Sequence, residues 1–232
     1  MGTLALCRGR INGGERMGYA IVIGASGGIG AALARHLDAE HEVTRLSRSA
    51  DGFDVTDEAS VVAAFARLTG PFDLAFVATG ILAPGGRTPE KSLDAIDADA
   101  MARTFAVNAI GPALVLRHLA PMLADDARVG VLTARVGSIG DNRMGGWHSY
   151  RAAKAAANQI VRGAAIEIGR RRKGAVVVAL HPGTVETPFT EGYKVPKVSP
   201  AEAAANLVRV LTALTPAETG GFFDHAGERI EW

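Results

Sequence analysis

The sequence predicts an α/β fold, one doubly wound parallel sheet of about seven strands with helices on both faces. Three observations lead there. Short, β-rich apolar runs such as Tyr19–Ile23, Phe72–Ala78 and Ala175–Leu180 lack the polar alternation of a half-exposed strand, so both faces of their sheet must be covered. Between them lie stretches with helical spacing, and strand alternating with helix builds a parallel sheet. The chemically conspicuous residues follow the strand ends, where ligands bind on an open parallel sheet. The 232 residues suit one such domain and are short for two.

Hydrophobic residues make up 48% and charged residues 21% of the chain, ordinary values for a soluble globular protein. A net charge of +1 gives no reason to expect nucleic acid or an anionic membrane as partner. No apolar run approaches the roughly 20 residues of a membrane helix. The single cysteine, Cys7, excludes an intramolecular disulfide, and a cytoplasmic location is the default. Residues 1–16 hold Arg8, Arg10, Arg16 and three glycines. They read as a disordered extension, with Leu4–Cys7 too short for a signal-peptide core. The folded domain is expected over 17–232.

The first strand, Tyr19–Ile23, runs into Gly24-Ala-Ser26-Gly-Gly28-Ile29-Gly30 and then an Ala/Leu-rich helix to about Leu37. Glycines at a strand-to-helix turn let backbone approach a ligand, and the helix N-terminus offers free N–H groups to a phosphate. This is a Rossmann-like placement, although the spacing is Gly-x3-Gly-x-Gly. The second strand, His41–Ser47, ends at Arg48. An acidic residue in that place would hold a ribose 2′-hydroxyl, whereas an Arg suits a 2′-phosphate. Arg48 therefore favours NADP(H), while Asp51 keeps NAD(H) open. In the short piece that follows, Asp54 and Val55 are expected against an adenine, and Asp57 is placed to cap a helix over 58–69.

The third strand ends at Thr79-Gly80, and a Pro/Gly-rich, then acidic, surface loop fills 81–99. Residues 100–123 have a helical pattern interrupted at Asn108, Gly111 and Pro112, unfavourable residues that cost less if the helix bends there. A fourth strand, Val129–Leu132, leads to Thr133 and Ser138. The next helix, to about Arg172, carries Tyr150 and Lys154 four residues apart and hence on one face. On its own that spacing also fits two unrelated surface side chains. Functionally, an ammonium beside a phenol favours the phenolate and tunes it for proton transfer. The fifth strand ends in His181-Pro182-Gly183-Thr-Val185-Glu-Thr187. Residues 189–199 read as a lid. Ser199 and Pro200 start a last helix over 201–214, and Gly220–Asp224 is a final short strand. No His/Cys/Asp spacing suggests a metal.

Taken in order, these segments resemble the short-chain dehydrogenase/reductase family from Met17 to Trp232. Ile23-Gly24-x3-Gly28-x-Gly30 is similar to its cofactor turn, with Ile23 where a Thr is usual. Ala78-Thr79-Gly80 matches the end of its Asn-Asn-Ala-Gly segment. Asn108, Tyr150-x3-Lys154 and Pro182–Thr187 match its helix Asn, catalytic pair and nicotinamide-carboxamide segment. The stretch from Val136 to Arg143 and the Gly-Gly-Phe-Phe-Asp tail resemble the C-factor-like subgroup.

The resemblance implies a nicotinamide-dependent oxidoreductase acting on a small or medium carbonyl or alcohol substrate. Tyr150 is then the proton donor, and Lys154 lowers its pKa and holds the nicotinamide ribose. Asn108 bends its helix around a proton-relay water, and Val185 and Thr187 fix the carboxamide. The family's usual Ser position falls on Ala134, so spacing transfers the substrate-orienting role to Ser138, with Thr133 in reserve. Pairing of long helices implies a homodimer or homotetramer. A dinucleotide-binding signalling or regulatory protein with little turnover is the alternative. His148 is expected at the pocket or surface, His181 in a structural role, and Trp147 in either packing or the substrate pocket.

Overall fold

The computed structural model describes residues 11–12 and 15–232. The extension expected at 1–16 therefore falls largely outside the described residues. Ile11–Asn12 and Glu15–Arg16 form a short antiparallel pair apart from the main sheet.

Six strands make that sheet: β1 (Gly18–Ile23), β2 (His41–Leu46), β3 (Phe72–Val77), β4 (Leu123–Leu132), β5 (Val176–His181) and β6 (Phe222–Asp224). All pairings are parallel, in the order β2-β1-β3-β4-β5-β6. About seven strands were expected. The short piece at 52–57 is a turn, in which the Asp54 carboxylate accepts from the Thr56 N–H (2.8 Å) and hydroxyl (2.7 Å).

The helices are α1 (Gly28–Leu37), α2 (Glu58–Phe65), α3 (Ala98–Phe105), α4 (Gly111–Leu119), α5 (His148–Arg171) and α6 (Pro200–Ala213). Successive strand residues face opposite layers, which is why the strands are apolar throughout. Ile23, Val77, Val131 and Ala179 pack against Val115 and Leu119 of α4 and Val161 of α5. Val22, Phe76, Val178 and Leu180 pack against Leu33 of α1 and Leu207 and Leu211 of α6. Each fully buried aliphatic or aromatic side chain contributes roughly 1.5–3 kcal/mol.

Two expected boundaries move. The helix expected to 69 ends at Phe65, where the chain tightens into i→i+3 bonds, Arg67 to Ala64 and Leu68 to Phe65. The helix expected to 123 ends at Leu119, and β4 begins at Leu123 instead of 129. At the second shift the chain tightens into a 3-10 turn over Ala120–Met122, where Pro121 has no N–H to continue the helical bonding, and Leu123 is already extended. Within that helical stretch, Ala106–Ile110 forms a π-helical turn joining α3 to α4. Asp57 and Ser199 cap their helices as expected, accepting from Ala59 and Glu202 N–H groups at 3.0 and 3.1 Å.

Candidate active site

Beyond the carboxyl ends of β1, β3, β4 and β5 lies one cavity of about 730 Å³. Its walls hold Ser26, Gly28, Ile29 and Gly30 after β1, Thr79 and Gly80 after β3, and Thr133–Val136 after β4. Pro182, Gly183, Val185 and Thr187 follow β5, and Tyr150 and Lys154 come from α5. The chain reverses its direction of travel across the sheet between β1 and β3, and a crevice opens at such a point.

The glycine turn is built for close backbone approach. The N–H groups of Gly24 and Ala25 donate to the Leu46 carbonyl at 2.8 and 3.1 Å. Gly24 has φ +88°, and a Cβ there would lie 2.7 Å from the Ala78 oxygen. A Cβ on Gly30 would lie 2.1 Å from the Gly24 oxygen, so neither position admits a side chain. The helix starts after Gly27 with no side-chain cap and no acidic residue in its first turn. Its first N–H groups are left for an outside acceptor. Free donors, a positive helix end and no crowding side chain fit the diphosphate of a dinucleotide.

Tyr150 is buried at the cavity wall under an aromatic cover. Its ring centroid lies 6.2 Å from that of Trp147 and 5.9 Å from that of Phe189, and Tyr193 is 6.0 Å from Trp147. Phe189 and Tyr193 belong to the expected lid. That segment is tied down by the Val185–Val198 bridge and by the Lys197 ammonium donating to the Thr190 carbonyl at 2.7 Å. Lys154 Nζ lies 5.8 Å from the Tyr150 centroid and donates to the Leu132 carbonyl at 3.2 Å. Burial pushes the Tyr150 phenol above its ordinary range, with Tyr193 adding to it. Burial also lowers Lys154 to about 8. The expected drop in the Tyr150 pKa from the neighbouring ammonium is therefore outweighed by desolvation in this enclosed state.

Asn108 is fully buried in the π-helical turn. Its Oδ1 accepts from the Ile81 N–H at 3.1 Å and its Nδ2 donates to the Ile81 carbonyl at 2.8 Å. Asn108 Oδ1 and Lys154 Nζ both approach Gly80, where a Cβ would lie 3.0 and 3.3 Å from them. The irregular helix thus clamps the end of β3 beside Lys154.

Other expected site residues lie apart. Ser138 is buried off the cavity wall, its hydroxyl accepting from the Asp141 N–H at 3.0 Å. Thr133 is on the wall, with a buried hydroxyl that has no protein partner. Ser149 points elsewhere, hydrogen-bonded to Glu90. Arg48 is exposed at the start of a single helical turn and meets no carboxylate among the described residues. The Asp51 carboxylate accepts from the Ser47 N–H (2.9 Å) and hydroxyl (3.2 Å). Asp54 and Val55 are off the wall: Asp54 is held in its turn, and Val55 packs beneath Gly111.

The structure also brings in residues that sequence reasoning passed over or placed elsewhere. Arg135, Asp141, Arg143, Met144 and Arg151 line the cavity, as do His181, expected in a structural role, and Trp147, for which the substrate pocket was one of two expected places. Burial lowers His181 to about 4, so its imidazole is neutral. Arg135 is paired with Asp224 at 3.1 Å and Asp141 at 3.4 Å. Glu90 also escaped notice. Trp147, ahead of α5, has φ 53° and gives no side-chain cap. The Glu90 carbonyl takes the Trp147 N–H (2.5 Å), and its carboxylate takes the Ser149 N–H (3.3 Å) and hydroxyl. Only a long-range contact could have revealed that role.

Comparison with known proteins agrees with this geometry. A family model described as enoyl-(acyl carrier protein) reductase matches residues 23–222. The 1-hydroxy-2-glutathionyl-2-methyl-3-butene dehydrogenase of Rhodococcus sp. (strain AD45) is 34% identical, over 93% of this chain and 100% of that protein. The C-signal of Myxococcus xanthus is 37% identical, over 61% of this chain and 84% of that protein. A solved short-chain dehydrogenase/reductase of Burkholderia multivorans, with NADP bound, superposes with a TM-score of 0.78 at 26% identity, over 93% of this chain and 100% of that one. With the family model matched over residues 23–222 and the sheet, glycine turn and Tyr–Lys helix in place, the chain belongs to the short-chain dehydrogenase/reductase family.

Proposed function

We propose that the protein is an NADP(H)-dependent oxidoreductase interconverting a small or medium carbonyl compound and its alcohol, with Tyr150 as general acid and base. The observation that carries this reading is the single cavity joining the glycine turn to the buried Tyr150–Lys154 pair. The cofactor supplies the hydride when bound. Gly28, Ile29 and Gly30 would hold its diphosphate, and Pro182–Thr187 would bound its nicotinamide end. Tyr150, protonated across the neutral range, donates its phenolic proton to the substrate oxygen as the carbonyl is reduced. Lys154 keeps a positive charge below about pH 8 that offsets the phenolate left behind. Asn108, clamped to Ile81, holds this corner of the cavity in shape. Thr133, on the cavity wall with its hydroxyl buried and without a protein partner, would turn that hydroxyl to the substrate oxygen, a role that spacing alone assigned to Ser138. The aromatic cover of Trp147, Phe189 and Tyr193 excludes water from Tyr150.

NADP(H) is the favoured cofactor because Arg48 stands uncommitted after β2 while the Asp51 carboxylate is already bonded to Ser47. The Burkholderia relative holds the same cofactor. A panel of aldehydes and ketones with NADPH and NADH, on wild type and Arg48→Ala, tests both parts. We expect turnover with NADPH, and a preference for NADPH that falls about tenfold or more in Arg48→Ala, as for a lost charged hydrogen bond. No turnover on any carbonyl would favour the second reading, a dinucleotide-binding signalling protein. That reading draws on the likeness to the C-signal and on Ala134 at the usual serine position.

A further inference from the structure

The cavity extends past Tyr150 into a region that the hydride chemistry does not account for. Its walls there are Val136, Asp141, Arg143, Met144, Trp147, Arg151 and the lid. Two features stand together. The apolar surface is unusually open, with Met144 89% exposed and Phe189 37% exposed. Three guanidinium groups share the region with one carboxylate, Asp141, and Arg135 is paired with that carboxylate and with Asp224.

This leaves Arg143 and Arg151. Among the described residues, neither meets a carboxylate within ion-pair distance. Arg143 is exposed, on the segment that carries Met144. Arg151 is half-buried, and its guanidinium donates only to backbone carbonyls, Nε to Gly146 at 3.1 Å and one terminal nitrogen to Val136 at 3.3 Å. An Arg holds its charge at any working pH, and withdrawing it from water without an anion is costly. Arg151 follows Tyr150 on α5 but points from a different face of the helix, toward Val136 and Gly146, so an anion held there lies along the cavity wall and away from the phenol. Arg48, which stands after β2 and does not line the cavity, is a separate place in the fold.

We propose that Arg143 and Arg151 form a carboxylate-reading subsite, so that the substrate is a keto acid or hydroxy acid. Its apolar body lies against Met144, Trp147 and Phe189, and its carboxylate is distant from the carbon that accepts hydride. The paired Arg135–Asp141 contact sets the edge of the subsite and keeps Asp141 from neutralising it. This assignment rests on the reading of the cavity as a redox site, and the test separates the two.

The probes are aryl-ketone carboxylic acids and their methyl esters, compared on the NADPH-loaded protein by turnover and by calorimetric binding. We expect kcat/KM for the acid to exceed that for the ester by about tenfold or more, as for a charge-assisted bidentate contact. That ratio should shrink as salt rises. Arg143→Ala should collapse the ratio toward one, and Arg151→Lys should reduce it. Lys173→Ala, which removes a charge far from the cavity, should leave it as in wild type. Equal use of acid and ester by the wild type, or an unchanged ratio in Arg143→Ala, overturns the subsite. If neither probe is turned over, the redox reading is in question, and binding decides the subsite by itself. Tighter binding of acid than ester supports it, and equal binding overturns it.

Discussion

Lys154 sits enclosed with one hydrogen-bond partner, the Leu132 carbonyl. A buried ammonium is disfavoured, and its pKa falls to about 8 from 10.5. The sign follows from proton binding. Between about pH 8 and 10.5 the unfolded chain holds more protons on this group than the folded one does, so stability rises with pH across that window. Below it, the folded protein bears the full burial cost. Lys154→Met should therefore raise the stability of the cofactor-free protein at pH 7 by about 1–3 kcal/mol while removing activity, as read by thermal unfolding. A fall in stability would mean that the charge has a partner the geometry does not record.

The hydroxyls give a second test at this scale. Thr133→Val should cut kcat/KM by about 10²-fold, in line with loss of one oxyanion donor. Ser138→Ala should cost about 1 kcal/mol of stability, for the lost bond to Asp141, and spare kcat. The reverse pattern would return the role to Ser138. Tyr150 and Lys154 were readable because i, i+4 spacing fixes a shared helix face. Ser138 was not, because counting residues back from Tyr150 ignores the turn at Arg135–Gly137 that faces its hydroxyl away from the cavity.

At the scale of elements, α5 depends on a residue from outside its own sequence. Trp147 enters it with positive φ, so the first turn relies on Glu90. A carboxylate at a helix N-terminus also interacts favourably with the dipole. Glu90→Ala should lower stability by about 1 kcal/mol or more and reduce kcat, because the first turn carries Tyr150. Glu90→Gln should recover part of both. If unfolding temperature and kcat are unchanged in Glu90→Ala, α5 is held by packing alone. Capping of this kind is invisible in sequence, since 59 positions separate Glu90 from Ser149. Local caps were legible: Asp57 and Ser199 each stand just before their helices. The bend at Asn108 was legible as an awkward residue in a helix, while its partner, the Ile81 backbone, was not.

At the scale of the molecule, the order of strands turns scattered motifs into one site. Apolar runs, alternation and residues at strand ends were enough to read a doubly wound sheet. The six strand segments read from the sequence are the six of the sheet, one fewer than the count of about seven expected. Most of the substrate half of the cavity was unreadable: Arg143, Phe189 and Tyr193 come from segments without periodicity, and Arg151, though on α5, has its place set by the Val136 and Gly146 carbonyls. Only folding brings them over Tyr150. The central claim is that this convergence makes Tyr150 the proton donor of a carbonyl reduction. The direct measurement is single-turnover oxidation of bound NADPH by a carbonyl substrate in Tyr150→Phe, with NADPH affinity measured on the same sample. The account predicts a rate lower by about 10³-fold with affinity retained. A variant that binds NADPH and turns over at the wild-type rate would contradict it.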